Sequence, residues 1–392
     1  MNETSAIVRS MIEEVRRRGD AALCGFARKF DRVSLRPEDL VVREPTLKSA
    51  WSRVSPDFQK ALKECSKNIE AFARAEKKRL TRSWLEKRGS VTLGQRIGPV
   101  ERVGLYIPGG RFPYPSTVLM SAIPARVAGV ESIAMASPPK NLTAEVMAAA
   151  YLAGVRTVYR VGGAGAIAAL AYGTRRIKPV DLIVGPGNPY VTEAKRQIFG
   201  DAGIDALAGP SEVVIIADKQ TPPAYIEADL LAQAEHDPAA RALLLTTDRA
   251  AARQIRARLD SATLRRVSVR FVSSLRQAIE EANRIAPEHL ELLFKNAERV
   301  LPLVKHAGAI FLGPETPAAL GDYAAGPSHV LPTRRSARFS SGLSVATFMK
   351  RSSVIGFQGR ASERPRWQAA LTMAQAEGMA HHEASLRRRL AR

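Results

Sequence analysis

Histidine both exchanges protons near neutral pH and binds metals as a neutral ring, so the six histidines of this chain are the first candidates for chemistry. Five of them lie in four short segments that also contain an acid or a side-chain amide. These segments are 233–236, 288–289, 322–329 and 377–382. The sixth, His306, has no such neighbour and is expected to be a surface or packing residue.

Two of the segments contain closely spaced pairs. Gln233 and His236 are three residues apart, which places both on one face of a helix and suits them to begin a metal site. Glu288 and His289 are adjacent behind Pro287 and suit paired acid–base work at a helix start. The structural alternatives are a histidine at a helix end for the first pair and a Pro-Glu capping arrangement for the second.

The other two segments place an acid near a histidine in different surroundings. Asp322 and His329 share a glycine-rich loop after an apolar strand, and such loops commonly carry ligands. Glu377 and His382 lie in an arginine-rich tail with a helical pattern. Taken singly, most of these histidines would be assigned to the surface. Because the combination recurs four times, the sequence predicts that the segments assemble into one site.

Glycine- and proline-rich turns form a second kind of candidate site. Four β-rich runs each end in such a turn, at 106–110, 137–139, 162–165 and 185–190. Ligands of open parallel sheets bind beyond the carboxyl ends of the strands, where glycines let backbone amides approach a phosphate. Tight turns alone would also need glycine, and none of the four matches the G-x-G-x-x-G fingerprint. Four turns in series favour a ligand crevice.

Hydrophobic periodicity predicts the elements that position these residues. Residues 1 to about 90 show helical stripes, and from residue 100 β-rich runs alternate with helical segments, which indicates βαβ units and a mostly parallel sheet. The expected strands are 103–107, 132–136, 157–161, 181–184, 212–217, 242–246, 267–272 and 309–312. The expected helices between them are 116–129, 143–153, 190–199, 223–235, 249–259 and 274–284. The predicted fold class is therefore α/β, with two Rossmann-like modules.

Composition narrows the function classes. The 392 residues are 45% hydrophobic and 25% charged, an ordinary globular composition for two or more structural units. The formal charge of +21 would attract polyanions, but the basic residues are dispersed and match no nucleic-acid-binding module. A nucleic-acid role is the alternative from another class, and a steep salt dependence of binding without turnover would favour it. Otherwise nucleic-acid contact is expected to be at most non-specific.

The cellular setting is predicted from what the sequence contains. No apolar stretch is long enough for a membrane span, and the N-terminus shows no secretory pattern. The two cysteines, Cys24 and Cys65, lie on apolar helical stripes and are expected to be buried rather than paired. These features together predict a cytoplasmic protein.

Several of these segments together resemble the signatures of the histidinol dehydrogenase family. The matching segments are 185–188, 208–212, 232–238, 286–290, 321–333, 336–344 and 348–351. They follow the family's order and separations, and the match runs essentially from residue 6 to the last helix. The resemblance implies a Zn²⁺- and NAD-dependent oxidation of L-histidinol, through the aldehyde, to L-histidine. A paralogue acting on another polar alcohol, such as a sulfonated diol, is the nearest rival.

The resemblance also implies residue roles. The metal ligands would be Gln233, His236, Asp322 and His382, mixed nitrogen and oxygen donors that are compatible with Zn²⁺. The general base would be His289 and the water-activating acid Glu288. The substrate contacts would be Ser211, Gln233, His236, His289, Asp322, His329, Glu377 and His382.

The cofactor contacts implied by the resemblance are Tyr106 and Asn188. The family's third contact is a glutamine, which falls at Gly165 in this chain, so that side-chain contact is lost. If the crevice has the family's geometry, Gly165→Gln is expected to lower the KM for NAD⁺.

Four parts of the chain are expected. Residues 1–105 would be a helical region joining the second module, 106–212 a first α/β module on the cofactor side, and 213–343 a second module on the metal and catalytic side. Residues 344–392 would be a helical tail. The resemblance implies that this tail crosses to the partner of a homodimer, where Glu377 and His382 complete the neighbour's site. A helical tail folding back on its own chain is the alternative.

Overall fold

The computed structural model describes residues 3–80, 82–109, 112–358 and 363–390, apart from the side chain of His236. The described residues divide into two compact units. The main unit lies within Met1–Lys77 and Val100–Phe348, and the small unit lies within Lys78–Pro99 and Met349–Arg392.

The elements are given in chain order. The helices are α1 (Glu3–Arg18), α2 (Asp20–Phe26), α3 (Glu44–Arg53), α4 (Pro56–Leu80), α5 (Pro115–Ala128), α6 (Ala144–Ala153), α7 (Gly163–Tyr172), α8 (Pro189–Ile198), α9 (Pro223–His236), α10 (Arg249–Arg258), α11 (Leu275–Ile285), α12 (Ala318–Tyr323), α13 (Arg364–Ala376) and α14 (Ala380–Leu390). The strands are β1 (Val41–Arg43), β2 (Trp84–Arg88), β3 (Val91–Pro99), β4 (Arg102–Tyr106), β5 (Ser132–Ser137), β6 (Thr157–Arg160), β7 (Leu182–Val184), β8 (Gly203–Ile204), β9 (Glu212–Ala217), β10 (Arg241–Thr246), β11 (Val267–Phe271), β12 (His289–Leu293), β13 (Ala309–Leu312) and β14 (Met349–Phe357).

The first sheet of the main unit has the strand order β1-β6-β5-β4-β7-β8. Its neighbouring strands are parallel, except that β1 runs antiparallel to β6. Buried residues of α1, α2, α7 and α8 form one apolar cluster with residues of this sheet. Val8, Ile12 and Val15 lie at helical spacing on α1 and are buried in that cluster, so one face of the N-terminal helix is fixed there.

The second sheet has the order β11-β10-β9-β12-β13 and is parallel throughout. Its central strand β9 is covered on both faces, as its continuous apolar sequence requires. Val213 and Ile215 pack with α9 and α10, whereas Val214 and Ile216 pack with α11. Beside it, β12 places His289 opposite Val213. The amino ends of β9 and β12 therefore lie side by side.

The small unit contains an antiparallel sheet in the order β14-β3-β2. Strands β14 and β3 pair along their whole length, from Met349 opposite Pro99 to Phe357 opposite Val91. In the same unit, α13 packs against α14. No helix among the residues described above is long and apolar enough to cross a membrane.

The structure confirms the α/β fold class with parallel-rich sheets. Each of the eight strands and six helices predicted between residues 100 and 312 is present, and no end differs from the prediction by more than one residue. Free thiols are found at both cysteines, with Cys24 buried and Cys65 half-buried.

The structure corrects three expectations about the organisation. Residues 84–99 form β2 and β3 rather than helix, and the tail opens with β14. The N-terminal region adds β1 to the first sheet and packs α1 against it, while its helix α4 contacts the loop after α12 in the second module. Segment 286–290 leads into β12 instead of starting a helix. Every side chain of β2 is exposed, so no apolar pattern could have revealed that strand.

Candidate active site

The carboxylate of Glu288 is held where β9 and β12 begin. Ser211 Oγ donates to Glu288 Oε2 at 2.6 Å, and the backbone N–H of Glu212 donates to the same oxygen at 3.0 Å. Glu288 is only 7% exposed. Hydrogen bonds from uncharged donors stabilise a buried carboxylate charge. Ser211, a predicted substrate contact, is therefore also a fixed partner of the predicted catalytic acid.

His289 begins β12, and its ring is buried 5.8 Å from the ring of Phe311, centroid to centroid. Burial lowers the pKa of His289, outweighing the opposite effect of the Asp322 carboxylate and the main chain of Glu212. The ring is therefore neutral near pH 7, the form that accepts a proton. Nδ1 lies 3.6 Å from Glu288 Oε2, and it makes no hydrogen bond of normal geometry to any residue that the structure describes.

The sequence predicts a loop at both Asp322 and His329, but Asp322 lies in α12 and only His329 lies in the loop that follows this helix. His289 Nε2 lies 3.9 Å from Asp322 Oδ1, and His329 Nδ1 lies 2.9 Å from the Asp322 carbonyl. A carbonyl only accepts, so Nδ1 of His329 carries a proton. Its Nε2 lies 3.1 Å from Thr117 Oγ1 of α5, within hydrogen-bond distance. The predicted acid–histidine loop thus contacts α5 as well as the second sheet.

The same loop is also held by the N-terminal region. Asn68 of α4 donates through its side-chain amide to the carbonyl of Ala324 at 3.0 Å. Gly326 has a φ of +116°, and a Cβ there would lie 3.0 Å from the Asn68 carbonyl oxygen. The close approach of α4 therefore needs glycine at this position. Asn68 was not predicted as a site residue, because a lone asparagine on an amphipathic helix carries no recognisable signal.

Gln233 lies on α9 and is 6% exposed. Within the described part of the chain, its Nε2 is buried without a hydrogen-bond partner. Such a donor is rare in a native structure and suits a ligand that offers a hydrogen-bond acceptor. The helix also packs against α12, which carries Asp322. His236 ends α9, but its side chain lies outside the described residues.

Two of the four predicted metal ligands, Gln233 and Asp322, lie on neighbouring helices of the main unit. No group of three or more histidine, cysteine or carboxylate side chains that could hold a metal occurs among the residues described. Gln233 and Asp322 nevertheless offer oxygen donors from two packed helices, α9 and α12. These two side chains therefore fit the oxygen ligands of a mixed nitrogen–oxygen zinc site.

Two predicted site residues belong to the small unit. Glu377 directly follows α13, and His382 lies in α14. Both side chains are exposed in this chain. Their assignment to the site remains a prediction that depends on the partner subunit.

A buried acid pair beside the site was not predicted. Glu291 is fully buried on β12, two residues after His289, and its Oε1 accepts from the N–H of Ala318 at 2.8 Å. Burial, and next the charge of Asp229, raise the pKa of Glu291 to about 8. Burial raises the pKa of Asp229 to about 6. The pair therefore holds a proton at neutral pH. An acid inside the run His-Leu-Glu-Leu-Leu was the signal that could have revealed it.

This pair joins the elements that carry the site. Ala318 begins α12, one helical turn before Asp322, and Asp229 lies one turn before Gln233 on α9. Glu291 thus connects β12 to both helices. The observation explains how a short six-residue helix, α12, is held with a defined start.

The glycine-rich turns of the first sheet meet at its carboxyl edge. Tyr106 Oη accepts from the N–H of Gly163 at 3.0 Å, and a Cβ on Gly185 would lie 2.1 Å from the Tyr106 carbonyl oxygen. A Cβ on Gly162 would lie 2.7 Å from Pro138. Gly162 and Gly185 are therefore needed because a side chain at either position would clash with its neighbour. Gly163 differs, because its Cβ position has no described neighbour within 4 Å.

Asn188 caps α8, since its Oδ1 accepts from the N–H groups of Tyr190 and Val191 at 3.0 and 3.1 Å. A cofactor contact by Asn188 would therefore use its side-chain nitrogen. Gly165 is buried in α7, and a Cβ there would lie 2.7 Å from Phe26 Cδ2. A larger side chain at position 165 would therefore point towards α2 and meet the ring of Phe26.

Comparison with known proteins decides the family. The family model described as histidinol dehydrogenase matches residues 1–390. The chain belongs to the histidinol dehydrogenase family. A histidinol dehydrogenase of Thermosynechococcus vestitus is 46% identical, over 100% of this chain and 94% of that protein. Histidinol dehydrogenase 2 of Trichormus variabilis is 47% identical, over 98% and 92%.

Solved structures agree. The histidinol dehydrogenase of Elizabethkingia anophelis superposes with a TM-score of 0.93 at 33% identity, covering 100% of this chain and 93% of that one. A putative aldehyde dehydrogenase of Burkholderia cenocepacia, at 13% identity and a TM-score of 0.51, covering 89% and 92%, shares only the fold. As a histidinol dehydrogenase family member, the chain is an oxidoreductase.

The raised pKa of Glu291 predicts a pH-dependent stability. The folded protein keeps this proton up to about pH 8, whereas the unfolded chain releases it above 4.5. The free energy of unfolding should therefore fall between pH 4.5 and 8, by at most about 1.4 kcal/mol per pH unit for one proton. Glu291→Gln keeps an acceptor for Ala318 without a proton to lose, so its Tm should gain on wild type as pH rises from 5 to 8.

The matched control is Glu280→Gln, at a side chain that is 61% exposed, whose Tm difference from wild type should not vary with pH in this range. Thermal unfolding at pH 5, 6.5 and 8 measures both variants. A Glu291→Gln difference that stays constant would show that Glu291 is ionised in the folded protein.

Proposed function

We propose that this protein oxidises L-histidinol through L-histidinaldehyde to L-histidine, using one Zn²⁺ per subunit and two NAD⁺ per turnover. The observation that carries the proposal is the buried, neutral ring of His289 between the carboxylates of Glu288 and Asp322, in a chain of the histidinol dehydrogenase family. A neutral imidazole between two acids can take up a proton and hand it on.

In this proposal His289 takes the proton of the substrate alcohol as the C–H hydrogen leaves as hydride. Loss of these two hydrogens converts the alcohol to the aldehyde. NAD⁺ supplies the hydride acceptor when it is bound. Burial of His289 supports the assignment, because it keeps the ring unprotonated before the substrate arrives.

Glu288 is assigned the hydration step. Its carboxylate takes a proton from water as the oxygen adds to the aldehyde carbon. The resulting hydrate anion then loses a hydride, for which a second NAD⁺ would be the acceptor, and becomes the acid. Ser211 and the Glu212 amide support this role because they fix the carboxylate beside His289. The Nδ1–Oε2 separation of 3.6 Å allows the two groups to exchange a proton after a small movement.

The zinc ligands in this proposal are Gln233, His236, Asp322 and His382. Bound Zn²⁺ would supply a fixed positive centre that orients the substrate's nitrogen atoms. Gln233 would bind the metal through its amide oxygen, which leaves its buried Nε2 to donate a hydrogen bond to the substrate. Ser211, His329 and Glu377 would add contacts to the substrate. Both ring nitrogens of His329 have protein neighbours, so a substrate contact there would replace or share the bond to Thr117.

The cofactor is assigned to the carboxyl edge of the first sheet, at Tyr106, Gly165 and Asn188. Burial raises the pKa of Tyr106 to about 12, so its phenol stays neutral throughout the working pH range. Gly163 leaves open space beside Tyr106, which supports a ligand there. A cytoplasmic location stays a prediction.

We assign the exposed Glu377 and His382 to the site of a partner subunit in a homodimer. Because both side chains are exposed in their own chain, they are available to a second copy, and a two-fold dimer would place the same pair at each of two sites. The small unit provides an exposed surface on α14, with several arginines.

Product stoichiometry tests the reaction. Purified protein with limiting L-histidinol and excess NAD⁺ should form two NADH per histidinol, with little free aldehyde, and chelation should abolish a rate that Zn²⁺ restores. One NADH per histidinol with accumulating aldehyde would rule out the four-electron reaction.

Subunit mixing tests the composite site. His236→Ala and His382→Ala should each be inactive alone. If sites are shared, every hybrid dimer contains one intact site, and random reassociation should restore about a quarter of wild-type activity. No recovery, with subunit exchange confirmed by native mass spectrometry, would place each site within one chain.

The structure changes the expectation for Gly165→Gln. Because Phe26 occupies the space next to position 165, the single variant should raise the KM for NAD⁺ rather than lower it. Phe26→Ala makes room, so Gly165→Gln added to Phe26→Ala should lower the KM relative to Phe26→Ala alone. Steady-state kinetics of the three variants measures this, and purely additive effects would contradict the steric account.

A further inference from the structure

Lys195 of α8 is a charged residue that the proposed chemistry does not use. Its side chain is 2% exposed, although an ammonium group is seldom buried without a partner. Its Nζ donates to a carboxylate oxygen of Asp205 and, at 2.8 Å, to the carbonyl of Gly185. Asp205 is also buried, with its side chain 6% exposed. The pair thus lies inside the first module, at the turn that follows β7.

Asp205 holds the other side of the same glycine. Its Oδ2 accepts from the N–H of Gly185 at 2.7 Å, and its Oδ1 accepts from the N–H of Ala206 at 2.7 Å. Both backbone groups of Gly185 are therefore bound by one ion pair, the N–H by the acid and the C=O by the ammonium. A single residue held at both ends has little freedom to rotate.

The position of Gly185 requires this restraint. It has a φ of +115°, and it approaches β4 so closely that a Cβ would lie 2.1 Å from the Tyr106 carbonyl oxygen. Two residues on, a Cβ on Gly187 would lie 2.4 Å from Val191. Asn188 then caps α8, the helix that carries Lys195. Segment 185–188 is thus held at both ends: the ion pair binds Gly185, and Asn188 caps the helix that carries Lys195.

Stability alone is a poor explanation for this arrangement. A buried ion pair is often no more stabilising than an apolar pair of the same volume, because both charges lose their hydration. It does hold the groups that it contacts, since the carboxylate binds the N–H of Gly185 and the ammonium binds its carbonyl. What Lys195 and Asp205 add is a defined conformation of the turn between Tyr106 and Asn188.

We propose that Lys195 and Asp205 are positioning residues for the dinucleotide: without touching it, they fix segment 185–188 so that Tyr106 and Asn188 face it. This inference rests on the proposed cofactor site. It predicts that the turn is already formed before the cofactor binds. Loss of the pair should therefore weaken cofactor binding and leave the metal and the substrate unaffected.

The variant that tests this is Lys195→Met combined with Asp205→Asn, which keeps the volume and leaves no unpaired charge. Its Kd and KM for NAD⁺ should rise about tenfold, the effect of one or two lost hydrogen bonds. The KM for L-histidinol, the zinc content and kcat at saturating NAD⁺ should stay within about twofold of wild type, since no group at the reacting atoms changes. Asp205→Asn alone keeps an acceptor for only one of the two amides and leaves the buried Lys195 ammonium without an anionic partner, so its Kd for NAD⁺ should rise at least as much.

Arg196→Met is the matched control, because Arg196 forms an ion pair with Glu193 on the same helix but is exposed and does not reach the turn. It should leave the Kd for NAD⁺ unchanged. A double variant with a lower Tm and an unchanged Kd for NAD⁺ would show that the pair is only structural, and would overturn the inference. If wild type forms no NADH, the proposed function itself fails, so the two failures are distinct.

Hydrogen exchange of the wild-type protein gives a test that needs no variant. The peptide spanning 183–190 should contain a protected amide, that of Gly185, before NAD⁺ is added, and its protection should change little on binding. Fast exchange at Gly185 that slows only with NAD⁺ would show that the cofactor, and not the ion pair, orders the turn.

Discussion

Two hydrogen bonds to one oxygen of Glu288 fix the position of this carboxylate, on which the arrangement of the site depends. They come from Ser211, just before the central strand of the second sheet, and from Glu212, its first residue, and they reach the acid that directly precedes the neighbouring strand. Because parallel strands in register bring their amino ends together, the acid and the base next to it inherit the rigidity of the sheet. Helix α9, helix α12 and the loop that follows α12 carry the remaining site residues of the main unit.

Burial determines the charge states around that pair. It keeps the ring of His289 neutral and keeps a proton on the pair formed by Glu291 and Asp229. The first effect makes a base available, and the second avoids two adjacent buried charges while linking α9 and α12. In the first module the buried ion pair of Lys195 and Asp205 fixes a turn, because its two side chains also bind the carbonyl and the N–H of Gly185.

Much of this could be predicted from the sequence, because βαβ units have strong periodicity and their helices have clear caps. Two acid–histidine segments that the sequence predicts to share a site do lie together in the structure. They are Glu288 with His289, and Asp322 with His329. Strand β2 has no buried side chain and strand β12 is interrupted by Glu291, so neither shows a regular apolar pattern. Asn68 and Phe26 act through contacts across the fold that no local pattern encodes.

The most direct measurement of the central claim is the kinetics of His289→Asn, with His306→Asn as the control at a histidine outside the site. Asparagine keeps a polar group of similar reach but cannot serve as the base. The account predicts that kcat falls roughly 10²–10⁴-fold, while the KM for L-histidinol and the zinc content stay close to wild type. A kcat equal to that of wild type would contradict it, because another group would then take the proton.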